Sequence, residues 1–482
     1  MLEDIIAAFA TPVGTSGLQV LRIAGPGSAA VADKIFNFGP LPEPGKAAKS
    51  SKRTVAGLDG YQAAFGYVHG LDKPNAAIDQ CVITKFVQGK SYTGEEQVEL
   101  SIHGGNALRK ILLDLVLDAG ARLAEPGEFT KWAFLNGKMD LSQAEAVMGL
   151  IEADTARQHK ASLRHLQGET ATSLNDAKDK VYELLSSLEV DIEYPEYEDF
   201  QLQSELIEEN LGSVVGTLGD IVKNNKQGQV LRDGLQLALV GEPNVGKSSL
   251  LNALSGEDRA IVTNIAGTTR DSIELRVELE GLPVTMYDTA GIRETDDPIE
   301  KLGVERSKKI LNESDLLLFV VNAINKEQIQ TDIEQFIKMS AIGNDFIIVF
   351  NKLDLTPDLP SQLEEWDYLK NLEENPQYKG NIWVSATEGQ GVSELKYLIV
   401  EYYENMSGSG SSDLILTSAR QQKLIVDALS VFNLVYKDKD ALPNDILAAG
   451  LRQGLELLGE ITGENVSENM LDDIFSRFCI GK

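Results

Sequence analysis

The sequence predicts a multidomain chain of α/β and α+β class: an N-terminal α+β domain, a helical bundle, and a doubly wound phosphate-loop domain inserted into that bundle. Three observations carry this prediction. Gly241-Glu242-Pro243-Asn244-Val245-Gly246-Lys247-Ser248 falls between an apolar run, Leu235 to Val240, and a helical one, Ser249 to Leu254. Residues 230–401 alternate strand and helix patterns, whereas the flanks, 131–229 and 402–482, carry apolar residues at three- and four-residue spacing. The length, 482 residues, suits about three domains.

Composition narrows the class. Hydrophobic residues are 43% and charged ones 24%, the balance of an ordinary globular protein. No apolar run reaches the roughly 18 residues of a membrane span. Met1-Leu2-Glu3-Asp4 is acidic where a signal peptide would be basic. Two cysteines, Cys81 and Cys479, make no disulfide framework. The expectation is a cytoplasmic protein with no membrane partner. Net charge is −30, yet residues 1–130 hold 12 Lys+Arg against 14 Asp+Glu, so the acidity lies almost wholly in the remainder. A general nucleic-acid binder shows a basic field. Any nucleic-acid contact is therefore local or supplied by a partner.

In residues 1–130, Ile5 to Ala10 and Leu18 to Ile23 read as strands about the turn Gly14 to Gly17, and Ser28 to Phe36 as a short helix. Gly39 to Gly60, rich in Pro, Gly, Lys and Ser, reads as a loop. Ala64–Val68, Gln80–Phe86 and Gln97–Ile102 are further strands, and His103-Gly104-Gly105-Asn106 opens a helix through Leu117. Helices follow at Lys131–Asn136, Ser142–Gln167, Ala171–Ile192 and Ser204–Lys226, with Pro195 closing the third. Strands of the inserted domain are expected at Leu235–Val240, Ser272–Leu279, Val284–Asp288, Leu316–Asn322, Phe346–Asn351 and Asn381–Ser385. After the flexible tract Ser407 to Ser412, helices resume at Thr417–Lys437, Asn444–Gly459 and Ser467–Phe478, and they are expected to complete the bundle begun at 131.

The inserted domain carries the chemistry. Backbone N–H groups of a strand–turn–helix loop surround an anion. Asn244, Val245, Gly246, Lys247, Ser248 and Ser249 are the expected phosphate contacts, with Lys247 on the β- and γ-phosphates and Ser248 on Mg²⁺. In Asp288-Thr289-Ala290-Gly291 the aspartate suits indirect Mg²⁺ binding, and the glycine can turn an N–H toward the γ-phosphate. In Asn351-Lys352-Leu353-Asp354 the aspartate can accept two bonds from N1–H and the exocyclic amine of guanine, a pattern adenine lacks. Ser385-Ala386-Thr387 closes over the guanine O6. Thr263 through Thr268, Thr269, Arg270 and Asp271 occupies the place of a γ-phosphate-sensing loop, with Thr269 as the second Mg²⁺ ligand. Together these make a Ras-like guanine-nucleotide domain. Ras-like proteins place a water-orienting glutamine after the D-x-x-G glycine, and here Ile292 stands there. Either hydrolysis is slow or another group, such as a carboxylate in the acidic segment Glu294 to Glu300, serves.

With the tail Cys479-Ile480-Gly481-Lys482, the chain resembles the MnmE (TrmE) family of tRNA-modification GTPases over nearly its whole length. The matching motifs are Thr93-Gly94-Glu95, Gly104-Gly105, Pro126-Gly127-Glu128-Phe129, Ala133-Phe134-Leu135-Asn136-Gly137-Lys138, Asp140-Leu141-Ser142-Gln143-Ala144-Glu145-Ala146, the nucleotide set and that tail. The resemblance implies a homodimer made by the N-terminal domain, which would bind a 5-formyl- or methylene-tetrahydrofolate through positions matching Arg22, Glu99, Lys138 and Lys482. It implies an FAD-containing partner of the MnmG type in a heterotetramer. With that partner, the family installs (carboxymethyl)aminomethyl-type groups on C5 of wobble uridine 34 of certain tRNAs. It implies K⁺-driven GTP hydrolysis, with K⁺ at Asn244, Thr263, Ile265 and Thr268, and water oriented by Glu300. Arg270, Asp271 and Arg293 match positions linked to switch function. Cys479 matches a cysteine regarded as important for modification; as a nucleophile or as a residue packed on the helical domain, both readings stay open. An assembly GTPase of the ribosome-biogenesis kind would fit the nucleotide motifs equally, and the folate-type residues and the tail separate the two.

Overall fold

Two sheets organise the chain, one by antiparallel alternation and one by parallel crossover. The computed structural model describes residues 4–41, 52–194, 204–256, 274–288, 310–323, 326–339, 343–360, 366–406 and 414–481. They fall into two compact units, 1–148 with 459–482, and 149–458.

The first unit holds β1 (Ile6–Phe9), β2 (Ser16–Ala24), β3 (Phe36–Phe38), β4 (Gln62–Gly70), β5 (Lys73–Phe86), β6 (Gln97–Gly104) and β7 (Arg122–Leu123). Their order is β3-β4-β5-β6-β2-β1-β7, all antiparallel neighbours except β1 and β7. Period-two alternation sends Leu21 and Ile23 of β2 and Val98, Leu100 and Ile102 of β6 into one core, which helices Ser28–Asp33 and Asn106–Asp118 help to close. The opposite face carries Arg22 across from Glu99, and Ala24 across from Gln97. There Ile6, Ala8 and Ala24 meet Phe129 and Trp132 of helix Glu128–Leu135. Helix Glu468–Ser476 returns to this unit, packing Leu471 and Phe475 with Leu141 and Ala144.

Three expectations here are corrected. The helix expected over 28–36 ends at Asp33, because Phe36 pairs with Val68 and starts β3. β5 begins at Lys73, earlier than Gln80, since it continues a hairpin with β4 through residues of low strand propensity. β7 is two residues long, too short for periodicity to reveal.

The helix expected over 142–167 is two, Leu141–Glu152, most of which belongs to the first unit, and Ala156–Leu166 of the second. Thr155 is the reason. Its hydroxyl caps the Gln158 N–H while the Gln158 side chain takes the Thr155 N–H, a capping box that starts a new helix. Likewise the helix expected over 204–226 ends at Lys223 and is followed by Asn225–Asp233. Helix Glu169–Glu193 packs on Ser204–Lys223, which packs on Ala419–Lys437. Pro195 and the tract 407–412 lie outside the described residues.

In chain order the second sheet falls between Ser204–Lys223 and Ala419–Lys437: β8 (Leu235–Val240), β9 (Glu274–Leu279), β10 (Leu282–Asp288), β11 (Leu316–Asn322), β12 (Asp345–Asn351) and β13 (Tyr378–Trp383). The order is β13-β12-β11-β8-β10-β9, parallel throughout except for β9 against β10. Lys247–Ser255 and Val392–Asn405 bury one face, and Lys326–Met339 and Asp367–Leu372 the other. The sheet is doubly wound. The carboxyl ends of β8, β10, β12 and β13 lie along one edge, where such sheets bind ligands. Among the described residues no helix is long and apolar enough to cross a membrane.

Candidate functional site

The loop after β8 is shaped by backbone demands. Gly241 has φ +150°, and an added Cβ would collide with the Val320 carbonyl. Gly246 has φ +98° and precedes helix Lys247–Ser255; a Cβ there would strike the Asn351 amide. Asn244 is itself left-handed, φ 65°, a conformation asparagine tolerates. The result is a turn whose last residues lead directly into a helix N-terminus, the geometry of an anion cradle.

Lys247 folds over this turn. Its Nζ donates to the carbonyls of Gly241 (2.8 Å) and Glu242 (2.9 Å). Burial pushes its pKa below the ordinary lysine value, with Asp288 and Glu242 opposing that shift. Ser248 Oγ donates to Asp288 Oδ2 at 2.8 Å, so the two oxygens expected around Mg²⁺ already stand together. Val245 is buried, and Ser249 is exposed in the first turn of the helix.

The base end is tied to the phosphate end by two neighbouring side chains, Asn351 and Lys352. Asn351, 2% exposed at the end of β12, donates Nδ2 to the Val245 carbonyl (2.8 Å) and accepts at Oδ1 from the Ala386 N–H (3.1 Å). Lys352, left-handed at φ 71°, donates Nζ to the Asn244 carbonyl at 2.9 Å. Ser385 Oγ donates to Asp354 Oδ1 at 2.7 Å and lies 3.2 Å from Thr387 Oγ1. Asp354 thus presents a carboxylate with one oxygen already held, an acceptor poised for paired donors. Thr263, Ile265, Thr268, Thr269, Arg270, Asp271, Thr289, Ala290, Gly291, Arg293 and Glu300 lie outside the described residues.

A second polar cluster sits in the first unit. Arg22 Nε donates to Glu99 Oε1 at 2.9 Å, and its Nη1 reaches the Gly481 carbonyl at 3.5 Å. The guanidinium lies 5.2 Å from the Tyr92 ring centroid and 5.4 Å from that of Phe129. The tail is held by an Ile480–Pro126 bridge and by the Gly127 N–H on the Cys479 carbonyl at 3.3 Å. Cys479 is exposed, and Lys482 lies outside the described residues. Lys138 donates instead to the Gly89 carbonyl at 2.7 Å. Tyr92, under the guanidinium, and Gln97, bonded to Glu99, join this cluster in addition to the residues expected from the sequence. For Gln97 a signal existed: with Glu99, Ser101 and His103 it forms the polar half of a period-two strand.

Comparison with known proteins bears on both units. The family model "GTP-binding protein TrmE N-terminus" matches residues 5–138. The model "MnmE helical domain" matches residues 141–479. A tRNA modification GTPase MnmE of Aquifex aeolicus is 39% identical, with all of both chains covered. Its counterpart from Acetivibrio thermocellus is 38% identical over 100% of this chain and 99% of its own, and that of Bacillus subtilis 36% over 99% and 100%.

Proposed function

The chain belongs to the MnmE family of tRNA modification GTPases, and from that premise we propose a K⁺-dependent GTP hydrolase that works with a flavoprotein partner on C5 of wobble uridine 34 of tRNA. The observation that carries the GTP half is Asn351, whose amide locks the phosphate loop to the loop that closes on the base. Purine and phosphate are then read by one preorganised body.

Each residue has a task. The N–H groups of 244–249 receive the phosphates, and Lys247 exchanges its two carbonyl partners for phosphate oxygens. Ser248 and Thr269 would ligate Mg²⁺, and Asp288 holds the Ser248 hydroxyl. Asp354, braced by Ser385, selects guanine. Asn244, the Thr263 and Ile265 carbonyls and Thr268 would hold K⁺, and Glu300 would orient the water that Ile292 cannot. Arg270, Asp271 and Arg293 serve the switches.

The residues of the first unit suit a tetrahydrofolate. Glu99 supplies a carboxylate for ring N–H donors, and Arg22, which lies over the Tyr92 and Phe129 rings, supplies with Lys138 and Lys482 cations for a glutamyl tail. The folate, when bound, supplies the one-carbon unit. The chain acts as a homodimer in the cytoplasm, and the acidity of residues 131–482 leaves most of the charge for tRNA to the partner.

The test is GTP turnover against protein concentration in KCl and in NaCl at matched ionic strength. A steep K⁺-specific rise, lost in Asn244→Ala, is expected. Equal slow rates in both salts would remove the K⁺ ligands and Glu300 from this mechanism and favour an assembly GTPase.

A further inference from the structure

The Arg22–Glu99 pair has a neighbour with one atom unaccounted for. Gln97 lies two residues before Glu99 on β6, so both side chains rise from the same face. Gln97 is 1% exposed. Its Nε2 donates to Glu99 Oε1 at 3.0 Å, the oxygen that also takes Arg22 Nε. An ionised carboxylate only accepts, so the amide nitrogen must face it and the amide oxygen must point elsewhere. That oxygen is buried and has no hydrogen-bond partner. A stranded carbonyl on the residue paired with Ala24 is an unfavourable thing for a fold to keep, and a bound ligand is one thing that completes such an atom.

We infer that Gln97 is a recognition residue for the 2-amino-4-oxo pteridine ring of a reduced folate, an inference that rests on the folate reading above. In the free protein its amide is turned to Glu99 and its oxygen is unpaired. Ring N–H groups that take over Glu99 release the amide. The terminal torsion of glutamine is broad and roughly two-fold, so the amide turns without passing a staggered barrier. Its oxygen then accepts a further N–H of the same ring. Two acceptors side by side, a carboxylate and an amide carbonyl, fit a flat ring bearing adjacent donors. A glutamyl tail, rich in acceptors, gains nothing from the Gln97 oxygen.

The experiment uses the full chain and Gln97→Met, which keeps the volume and removes the amide. Both proteins are titrated with 5-formyltetrahydrofolate and with tetrahydropterin, which lacks the aminobenzoylglutamate tail. The melting temperature of each ligand-free protein is recorded alongside. Affinity for both probes should fall about tenfold, while the melting temperature holds or rises because a stranded carbonyl is gone. Affinity within about twofold of the unaltered chain overturns the inference. So does a melting temperature that falls together with affinity, since Gln97 would then only brace Glu99. If the unaltered chain binds neither probe, the folate reading falls and this inference with it, an outcome identified by that titration alone.

Discussion

Replacing Asn351 with alanine tests how the nucleotide site is held together. The side chain satisfies two backbone groups that belong to different loops, the Val245 carbonyl and the Ala386 N–H. Alanine strands both. Val245 is buried, so its carbonyl bears the full penalty of an unmet group, whereas half-buried Ala386 recovers part of its loss from water. An unmet buried group costs about 1–3 kcal/mol, so the pair together costs roughly 2–4 kcal/mol. A domain of this size loses about 2–4 °C per kcal/mol, which places the fall in melting temperature of the second unit at roughly 5–15 °C. Guanine-nucleotide affinity should fall by at least about tenfold, or 1.4 kcal/mol, because Asp354 and the phosphate loop no longer share a frame. Calorimetry of the nucleotide-free protein and titration with a fluorescent GDP read the two effects separately. A variant that melts within about 2 °C of the unaltered chain and binds GDP within about twofold would refute the cross-tie, since neither cost could then exist.

Further outcomes follow from Cys81 and Thr155. Burial, with Asp79 adding to it, pushes the Cys81 thiol up from 9.0 to about 12, while Cys479 is exposed. Alkylation of the native protein at pH 8 should therefore label Cys479 alone, with Cys81 reacting only after unfolding, as mass spectrometry of peptides will show. The linked stability has a definite sign: the native state keeps a proton that the unfolded chain releases, so the contribution is whole below about pH 9 and is lost as pH rises toward about 12. The gap in melting temperature between the unaltered chain and Cys81→Ala should narrow between pH 8 and pH 10.5. Finally, Thr155→Ala removes a buried N-cap and its half of the capping box. It should cost about 1–2 kcal/mol in urea unfolding, and Thr155→Ser should recover most of that loss.

What could be read from the sequence was local in the chain. The phosphate loop needs Gly246, Lys247 and Ser248 at consecutive positions between a strand and a helix, and the base motif needs Asn351 and Asp354 three apart. The apolar runs of β8, β11 and β12 announced strands buried on both faces, as a doubly wound sheet requires. The break at Thr155 was written there too, but as a competition between a continuing apolar stripe and a capping box, which periodicity alone does not weigh.

Tertiary structure alone decided which distant residues meet. Arg22 and Glu99 stand 77 positions apart, and they face each other because β2 and β6 pair in one register; a slip by one residue would turn each to the opposite face. Asn351 and Val245 are 106 positions apart, joined only when parallel strands bring both loops to the same edge. Gln97 looks like one polar residue in an alternating strand until its neighbours leave its oxygen unpaired. Spacing along a chain encodes turns, caps and faces through short-range sterics. Which faces then oppose each other is set by the burial of whole sheets and helices, a sum over contacts that no single segment carries.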